Sequence, residues 1–156
     1  MDYSQDRYGR ECLKYAQKSR SDIGFGAVLV KGKKIIGCGW NRRSTFLERK
    51  LLSHVDYAIH AEQACIADAI LRGVDIQGSR VYVLGIVLRG KQKGKLTARN
   101  EKVFICRKCP PTFIRFKVSV YIPCFHGWVH LSPKRAAKTA KEVCGNGYWR
   151  KFIQKK

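Results

Sequence analysis

Hydrophobic and polar positions follow two periods along this chain, one helical and one extended. Apolar side chains recur at helical spacing over residues 6–19, while continuous apolar runs bounded by glycine and charged residues are typical of buried strands. The pattern predicts, in chain order, helix 6–19, strand Gly24–Val30, a tight turn at Lys31–Lys33, strand Lys34–Trp40, helix His60–Leu71, strand Arg80–Leu88, a helix from Cys106 toward Phe116, strand Val118–Phe125 and helix 133–143. This alternation of helices and strands favours a three-layer α/β architecture in a single domain, 1–156.

Local signals mark the ends of these elements. Gly73 stops the helix that follows His60, and Ser132-Pro133 offers a hydroxyl cap followed by proline at the first helical position. Residues 41–56 are charged and are interpreted as an irregular connection. Two further segments stand out as a basic insertion at about 89–105 and a basic, aromatic C-terminal tail at about 145–156.

Two short motifs carry the candidate chemistry, His60-Ala61-Glu62 and Cys106-Arg107-Lys108-Cys109. Zinc prefers nitrogen and sulfur ligands in a tetrahedron, and a catalytic site leaves the fourth position to water. Two thiolates at a helix start and one imidazole at another supply three ligands, so we predict Zn²⁺ held by His60, Cys106 and Cys109. Glu62, two residues beyond the histidine, is the expected acid–base group near the activated water.

Other interpretations of these motifs stay open. The cysteines could belong to a structural Cys₂His₂ site with another histidine, or to a redox dithiol, although no βαβ unit opens at Cys106. Glu62 could simply complement the positive end of a helix. Cys124, His126, His130 and Cys144 could form a second metal site, but their irregular spacing favours core packing.

The charge distribution adds a candidate partner. The chain of 156 residues has a formal net charge of +21. Residues 1–76 hold 13 basic and 9 acidic residues, whereas residues 77–156 hold 19 basic and 2 acidic residues. Repulsion among these positive charges does not stabilise a compact domain. Binding of the same charges to a polyanion is favourable because it releases counterions, so nucleic acid is the predicted partner. The basic insertion contributes Lys91, Lys93, Lys95 and Arg99 as candidate contacts.

The aromatic residues toward the C-terminus have two possible roles, and the cysteines have one expected role. Trp128, Tyr148, Trp149 and Phe152 lie among cations and could stack unpaired bases, or could dock the tail on the core. Seven cysteines, mostly in apolar stretches, are expected to be reduced and buried rather than paired. No apolar run reaches a membrane span and no secretory signal opens the chain, which favours a cytoplasmic protein.

From these motifs the chain resembles the cytidine deaminase-like superfamily, whose signature pairs His-x-Glu with Cys-x-x-Cys. The resemblance extends from about Cys12 to Cys144, with the hairpin of Phe25–Val30 and Gly37–Asn41 similar to deoxycytidylate and tRNA adenosine deaminases. It implies a three-layer αβα domain with a central mixed sheet of about five strands. It further implies that Phe25, Gly26 and Ala27 wall the base pocket and that Asn41 hydrogen-bonds the sugar or base.

The sequence also departs from the family pattern. Ile105 stands where proline usually precedes the first cysteine, and Pro110-Pro111 follow the second cysteine instead. The basic stretch Arg89–Ile105 separates the third strand from the cysteines, which leaves the pocket alignment near residues 84–105 unassigned.

The resemblance implies hydrolytic deamination, with Glu62 moving protons while ammonia leaves a cytosine or adenine ring. The leading hypothesis is a deaminase of a base, with cytosine favoured, in RNA or single-stranded DNA. A free-nucleotide deaminase of the deoxycytidylate type and a non-catalytic zinc protein that binds nucleic acid are the alternatives. No membrane partner is expected, and a homo-oligomer is left open.

Overall fold

A central sheet of mixed strand direction organises this protein. The structure, a computed structural model, describes residues 1–52, 55–97 and 106–140. Within them the helices are α1 (Arg7–Ala16), α2 (Phe46–Leu51), α3 (Ala61–Leu71), α4 (Pro110–Phe116) and α5 (Pro133–Thr139). The strands are β1 (Ile23–Lys31), β2 (Lys34–Trp40), β3 (Arg42–Arg43), β4 (Ala58–Ile59), β5 (Arg80–Val87), β6 (Leu96–Thr97), β7 (Ser119–Cys124) and β8 (Gly127–Leu131).

The main sheet has the order β2-β1-β5-β7-β8, and β6 pairs with the far end of β5. Only β5 and β7 run parallel, with Val81 opposite Val120, and the other pairings are antiparallel. Five strands in the main path and one short addition confirm the expected mixed sheet. The pair β3 and β4 forms a separate small ladder, in which Arg42 lies opposite Ile59.

Helices cover the sheet on both faces, as the three-layer prediction requires. On one face α1 packs over β1 and β5, and buries Cys12 against Val28 and Leu84. On the other face α3, α4 and α5 share one core with the sheet, in which Ile66, Phe113 and Ala136 are fully buried. The metal-ligand motifs sit on this second face.

Glycines in the central strands allow the helices to approach the sheet backbone closely. A Cβ at Gly26 would overlap the carbonyl oxygen of Cys12 in α1. A Cβ at Gly39 would lie 2.6 Å from the backbone nitrogen of Cys65 in α3. Because side chains are absent at these points, α3 lies directly on β2, and its first turn is held at a fixed depth.

The helix predicted from Cys106 is wrong at its start. It begins at Pro110, with Cys109 as its N-cap residue, and residues 106–109 form a turn. Proline inside a helix removes the bond to the carbonyl four residues earlier and its ring clashes there, which for Pro110 means Cys106. At the first helical position Pro110 loses nothing, so the helix starts there instead.

Five elements were missed by the sequence pattern, of which β3 and β4 are strands of two residues each. The connection predicted as irregular at 41–56 contains α2, whose Thr45 and Glu48 form a reciprocal capping box. The basic insertion returns to the sheet as β6, and a hairpin at Phe125 adds β8. These segments are short, so period alone did not identify them, although the Thr45-x-x-Glu48 spacing was a readable helix signal.

Cysteines and aromatic residues settle mainly into the core. Cys12, Cys65 and Cys124 are buried, Cys38 is half-buried, and burial raises the pKa of Cys12 and Cys65. The indole of Trp128 lies 4.8 Å from the Tyr3 ring and donates to Asp6 at 3.1 Å, so it docks the N-terminal segment. The predictions for Arg99, Ile105, Cys144 and the tail lie outside the described residues. The helix predicted over 133–143 is too long, because the backbone leaves the helical conformation at Ala140 and α5 ends at Thr139. No helix in the described ranges is long and apolar enough to cross a membrane.

Candidate active site

His60 occupies the N-cap position of α3, directly after the short strand β4. Its backbone nitrogen donates to the side-chain oxygen of Gln63 at 3.1 Å, which closes the first turn of the helix. The prediction that a helix follows His60 is confirmed. Placed outside the helical hydrogen-bond pattern, the imidazole is half-buried and faces the turn that carries the two cysteines.

The two cysteines reach the same point from the turn before α4. Cys106 and Cys109 are both buried, whereas Arg107 and Lys108 between them are exposed. The turn therefore directs both sulfurs inward and leaves two cations at the surface beside the site. The ring of Pro110 fixes its own backbone φ in the helical range directly after Cys109. The helix therefore starts immediately beyond the second cysteine, which restricts where its sulfur lies.

The three donor atoms converge at distances that suit one zinc ion. His60 Nδ1 lies 3.2 Å from Cys106 Sγ and 3.4 Å from Cys109 Sγ, and the sulfurs are 3.4 Å apart. A tetrahedral zinc centre places its thiolates about 3.8 Å apart and sulfur and nitrogen about 3.6 Å apart. The observed separations are a few tenths of an ångström shorter, so the donor set and its spacing fit Zn²⁺. In the described part of the chain, these three residues are the one group that meets such a test.

Glu62 reaches the edge of this cluster without joining it. Its Oε2 lies 3.6 Å from Cys109 Sγ, and the side chain is 6% exposed and lines the neighbouring pocket. A buried carboxylate beside three metal donors is placed to exchange a proton with the fourth ligand position. Its position at the pocket wall favours an acid–base role over simple complementarity to the helix end.

Gln63 links the two motifs and was not singled out by the sequence reasoning. It accepts from the backbone of His60, and its side-chain nitrogen donates to the carbonyl of Lys108 at 3.2 Å. The side chain is 1% exposed, so both bonds are shielded from water. This one amide sets the imidazole-bearing turn and the cysteine-bearing turn at a fixed separation. In the sequence, the one signal for Gln63 was a polar side chain within a predominantly apolar helix.

A small pocket opens beside the metal donors. Its walls come from β1, α3, β5, β6 and β7, and the lining residues are Phe25, Glu62, Val83, Leu84, Gly85, Thr97 and Pro123. A Cβ at Gly85 would lie 2.6 Å from the Phe25 ring and 2.7 Å from the Thr97 hydroxyl. The missing side chain at Gly85 therefore lets a ring from β1 and a hydroxyl from β6 meet over one strand. A lone glycine in a strand was a readable signal, whereas nothing marked Thr97.

The residues assigned by resemblance occupy different places. Phe25 lines the pocket, whereas Gly26 faces α1 and Ala27 is fully buried in the core. The side chain of Asn41 accepts from the backbone of Phe25 at 2.8 Å and donates to Ile23 at 3.1 Å. Asn41 thus positions the strand that carries the pocket ring, and its contact with a substrate remains a prediction.

The basic insertion begins as a turn at the pocket end of β5. Lys91 and Lys93 are exposed and Lys95 is half-buried. Two hydrogen bonds between Val87 and the turn close it, from Val87 to Lys95 and from Gly94 to Val87, at 2.9 and 2.8 Å. At about 3.3 Å per residue, the end of β5 at Val87, where the turn is closed, lies roughly 7 Å from Gly85 in the pocket wall. Arg99, the fourth predicted contact, lies outside the described residues.

The chain matches the family model of the cytidine and deoxycytidylate deaminase zinc-binding region over residues 3–124. Among solved structures, cytidine deaminase from Burkholderia pseudomallei is similar at 16% identity and a TM-score of 0.52, covering 80% of this chain and 88% of the other. The apo dCMP deaminase of cyanophage S-TIM5 is similar at 20% identity, 72% and 76% coverage and a TM-score of 0.46. A search of curated proteins found no match.

An αβα domain with a histidine, two cysteines and a neighbouring carboxylate on one face defines a zinc-dependent deaminase fold and site. The match over residues 3–124 makes the class specific. The chain belongs to the cytidine and deoxycytidylate deaminase zinc-binding family, and its cofactor is zinc held by a site of His60, Cys106 and Cys109.

Replacing either cysteine ligand should release the metal. We expect about one zinc per chain in the wild type, and Cys106→Ser or Cys109→Ser to lose it and to unfold at lower temperature, because metal binding is linked to folding. Elemental analysis and thermal denaturation measure both effects. Cys38→Ser, at a half-buried thiol away from the cluster, should keep its zinc; full occupancy in both ligand variants would contradict the assignment.

Removing the amide of Gln63 should weaken zinc binding without removing a ligand. Gln63→Leu retains the side-chain volume but breaks both bonds between the motifs, and loss of such an outer partner lowers metal affinity by about 10- to 100-fold. Competition with a chromogenic chelator measures the affinity. Gln77→Leu, at an exposed glutamine, is the matched control, and equal affinity in both variants would show that Gln63 does not position the ligands.

Proposed function

We propose that this protein is a hydrolytic deaminase that converts a base, cytosine in preference to adenine, within RNA or single-stranded DNA. The observation that carries the choice of substrate is the basic insertion, which also forms part of the pocket. Its strand β6 supplies Thr97 to the wall, and its turn presents Lys91 and Lys93 to solvent nearby. The preference for cytosine rests on the similarity of the hairpin and of Ile59–Glu62 to deoxycytidylate deaminases.

The chain's own residues divide the reaction between them. Zinc, when bound by His60, Cys106 and Cys109, lowers the pKa of a water toward neutrality and so supplies a nucleophile. Glu62 takes the proton that this water releases on attacking C4 of the base. The same carboxyl passes that proton to ring nitrogen N3, then takes the proton of the new hydroxyl on C4 and delivers it to the amino nitrogen, which leaves as ammonia. Cytosine and water thereby become uracil and ammonia.

Burial suits Glu62 and Phe25 to these tasks. The carboxyl of Glu62 is almost wholly shielded, so its proton exchanges with the reacting atoms rather than with bulk water. Phe25 packs over Gly85, which holds an aromatic face at the pocket wall where a planar base can stack. Asn41 secures that strand through its bonds to the backbone of Phe25 and Ile23.

A polymeric substrate accounts for more of the surface charge than a free nucleotide does. A single phosphate needs one or two cations, yet Lys91 and Lys93 on one turn and Arg107 and Lys108 on another flank the same site. Several exposed cations on two turns near a pocket suit a backbone that continues past the reacting nucleotide. A free-nucleotide deaminase of the dCMP type is the second candidate. A non-catalytic zinc protein gives no reason for a buried Glu62 at a pocket wall.

Deamination of a polymer is tested by sequencing single-stranded RNA and DNA after exposure to the protein, in parallel with ammonia release from dCMP. Glu62→Ala should keep its zinc and its melting temperature while its rate falls about 10²- to 10⁴-fold, as expected when an acid–base group is lost. Converted cytosines in the polymer support the proposal. Turnover of dCMP with no converted base in either polymer would establish the second candidate, and near-normal turnover by Glu62→Ala would assign the proton transfer elsewhere.

Neutralising the basic turn should separate binding of the polymer from chemistry. Lys91→Gln/Lys93→Gln/Lys95→Gln should bind polynucleotides of many sequences more weakly, and each lost phosphate contact should reduce the salt slope by about 0.7 on a single strand. Deamination of free dCMP, where present, should be unchanged. The control Lys134→Gln/Arg135→Gln/Lys138→Gln removes the same charge from exposed positions on α5, outside the pocket lining. Unchanged polymer binding with a collapsed rate on dCMP would favour a free nucleotide.

A further inference from the structure

Three large apolar side chains stand exposed in the connection between β2 and α3. Phe46 is 62% exposed, Leu47 is 58% exposed and Tyr57 is 74% exposed. We call residues 42–59 the connecting lobe; positions 53 and 54 within it are outside the described residues. Grouped apolar exposure of this kind marks a binding surface more often than it marks chance.

Hydrogen bonds and an ion pair fix the backbone of the connecting lobe, so its exposed side chains start from defined positions. Arg42 forms two bonds with the buried carboxylate of Glu48, at 2.7 and 2.8 Å, and Thr45 caps the same turn. Burial alone would raise the pKa of Glu48, but the bonds from Arg42 and Thr45 outweigh it and hold that pKa below its usual value. Underneath, Leu52 and Ile59 pack against α3.

A cationic side chain lies over each of the exposed aromatic rings Phe46 and Tyr57. The guanidinium of Arg49 lies 5.6 Å from the centre of the Tyr57 ring, and the ammonium of Lys50 lies 5.2 Å from that of Phe46. Arg49 is fixed there by bonds to the backbone carbonyl and hydroxyl of Ser44, at 2.9 and 3.0 Å. Rings interleaved with cations match the two parts of a single-stranded nucleic acid, because bases stack and phosphates pair.

Charge disfavours a second copy of this chain as the occupant of the same surface. A two-fold interface places the same patch on both sides, so the cations Arg49 and Lys50 of one copy would face a patch that carries the same cations. Exposed Arg43 adds to this charge and exposed Asp56 offsets one unit of it, while the acidic Glu48 is already paired with Arg42. Like charges across an interface repel, whereas a polyanion gains from releasing its counterions.

The connecting lobe also lies next to the metal-binding residues. Tyr57 precedes His60 by three positions, and Arg42 pairs with Ile59 immediately before that ligand. The lobe follows β2, whereas the basic insertion follows β5, and these strands flank β1 with its pocket ring Phe25 on either side. A strand that crosses the pocket therefore has the basic insertion on one side and the connecting lobe on the other.

We propose that Phe46 and Tyr57 stack unpaired bases that flank the target in a single-stranded polynucleotide, while Arg49 and Lys50 pair with its phosphates. This inference rests on the proposed function for its substrate class. It adds a second contact surface, separate from the basic insertion, and gives the two surfaces different chemistry. The connecting lobe holds bases by stacking, and the insertion holds the backbone by charge.

The test is binding of fluorescently labelled single-stranded RNA and DNA oligonucleotides of mixed sequence, measured by anisotropy over a range of salt concentrations. Phe46→Ala/Tyr57→Ala should weaken binding by about 25-fold or more, since each stacked ring contributes at least about fivefold. Its salt slope should match the wild type, because no cation is removed. Arg49→Gln/Lys50→Gln should instead reduce the salt slope by about 0.7 for each lost contact.

Two sets of control variants isolate stacking from general loss of apolar surface. Leu71→Ala/Ile114→Ala removes two exposed apolar side chains from α3 and α4 and should bind as the wild type does. Phe46→Tyr and Tyr57→Phe keep the rings and should keep the affinity. Zinc content and melting temperature, which exposed substitutions should leave unchanged, confirm that each variant folds.

Several outcomes would overturn the inference. Equal binding by the wild type and Phe46→Ala/Tyr57→Ala would do so, and base conversion by both would then leave the proposed function standing. Sedimentation that shows the double variant dissociating an oligomer, with binding unchanged, would assign the face to a second copy. Binding through the lobe with no base converted would retain the inference and refute the proposed function. A wild type that binds neither oligonucleotide refutes both, and dCMP turnover then identifies the free-nucleotide enzyme.

Discussion

Convergence of three donor atoms on one point is the constraint on which the rest of this structure depends. His60 and Cys106 are 46 residues apart in the chain, yet Nδ1 and Sγ lie 3.2 Å from each other. Holding that separation requires α3 at a fixed depth on the sheet, which Gly39 permits, and a cysteine turn ended by Pro110. Gln63 then joins the two turns directly. Gly39 sets the depth of the helix that carries His60, Pro110 sets the end of the cysteine turn, and Gln63 sets the distance between them.

The pocket uses the same sheet to bring a carboxylate and an aromatic ring together. Glu62 comes from the helix that carries His60, while Phe25 and Thr97 come from strands on either side of β5. Gly85 lets these two side chains meet across that strand. The site therefore combines donor atoms set by the start of α3 and the turn before α4 with a small pocket walled mainly by strands. Family membership and this geometry agree on a zinc deaminase.

The periphery carries a different kind of information from the site. A net charge of +21 costs the folded state through self-repulsion, and part of that charge lies on the basic insertion and the connecting lobe. The basic insertion is held to the end of β5, and the connecting lobe is held by the ion pair of Arg42 and Glu48. Both surfaces are fixed relative to the reacting groups, which is the arrangement a strand crossing the pocket needs.

Residue chemistry and local spacing were enough to predict the candidate metal site, the acid–base candidate and the alternation of helices and strands. His-x-Glu and Cys-x-x-Cys have few other uses together, and helix and strand periods are local properties of the chain. Local spacing placed the start of α4 wrongly at Cys106. Pro110, a residue that favours the first helical position, was the signal for the correct start. Only the tertiary structure decided that Gln63 joins the two motifs, that Thr97 returns to the pocket and that Phe46 and Tyr57 stand exposed beside the metal ligands. Those facts depend on contacts between residues distant in sequence, and no local period records which strand pairs with which.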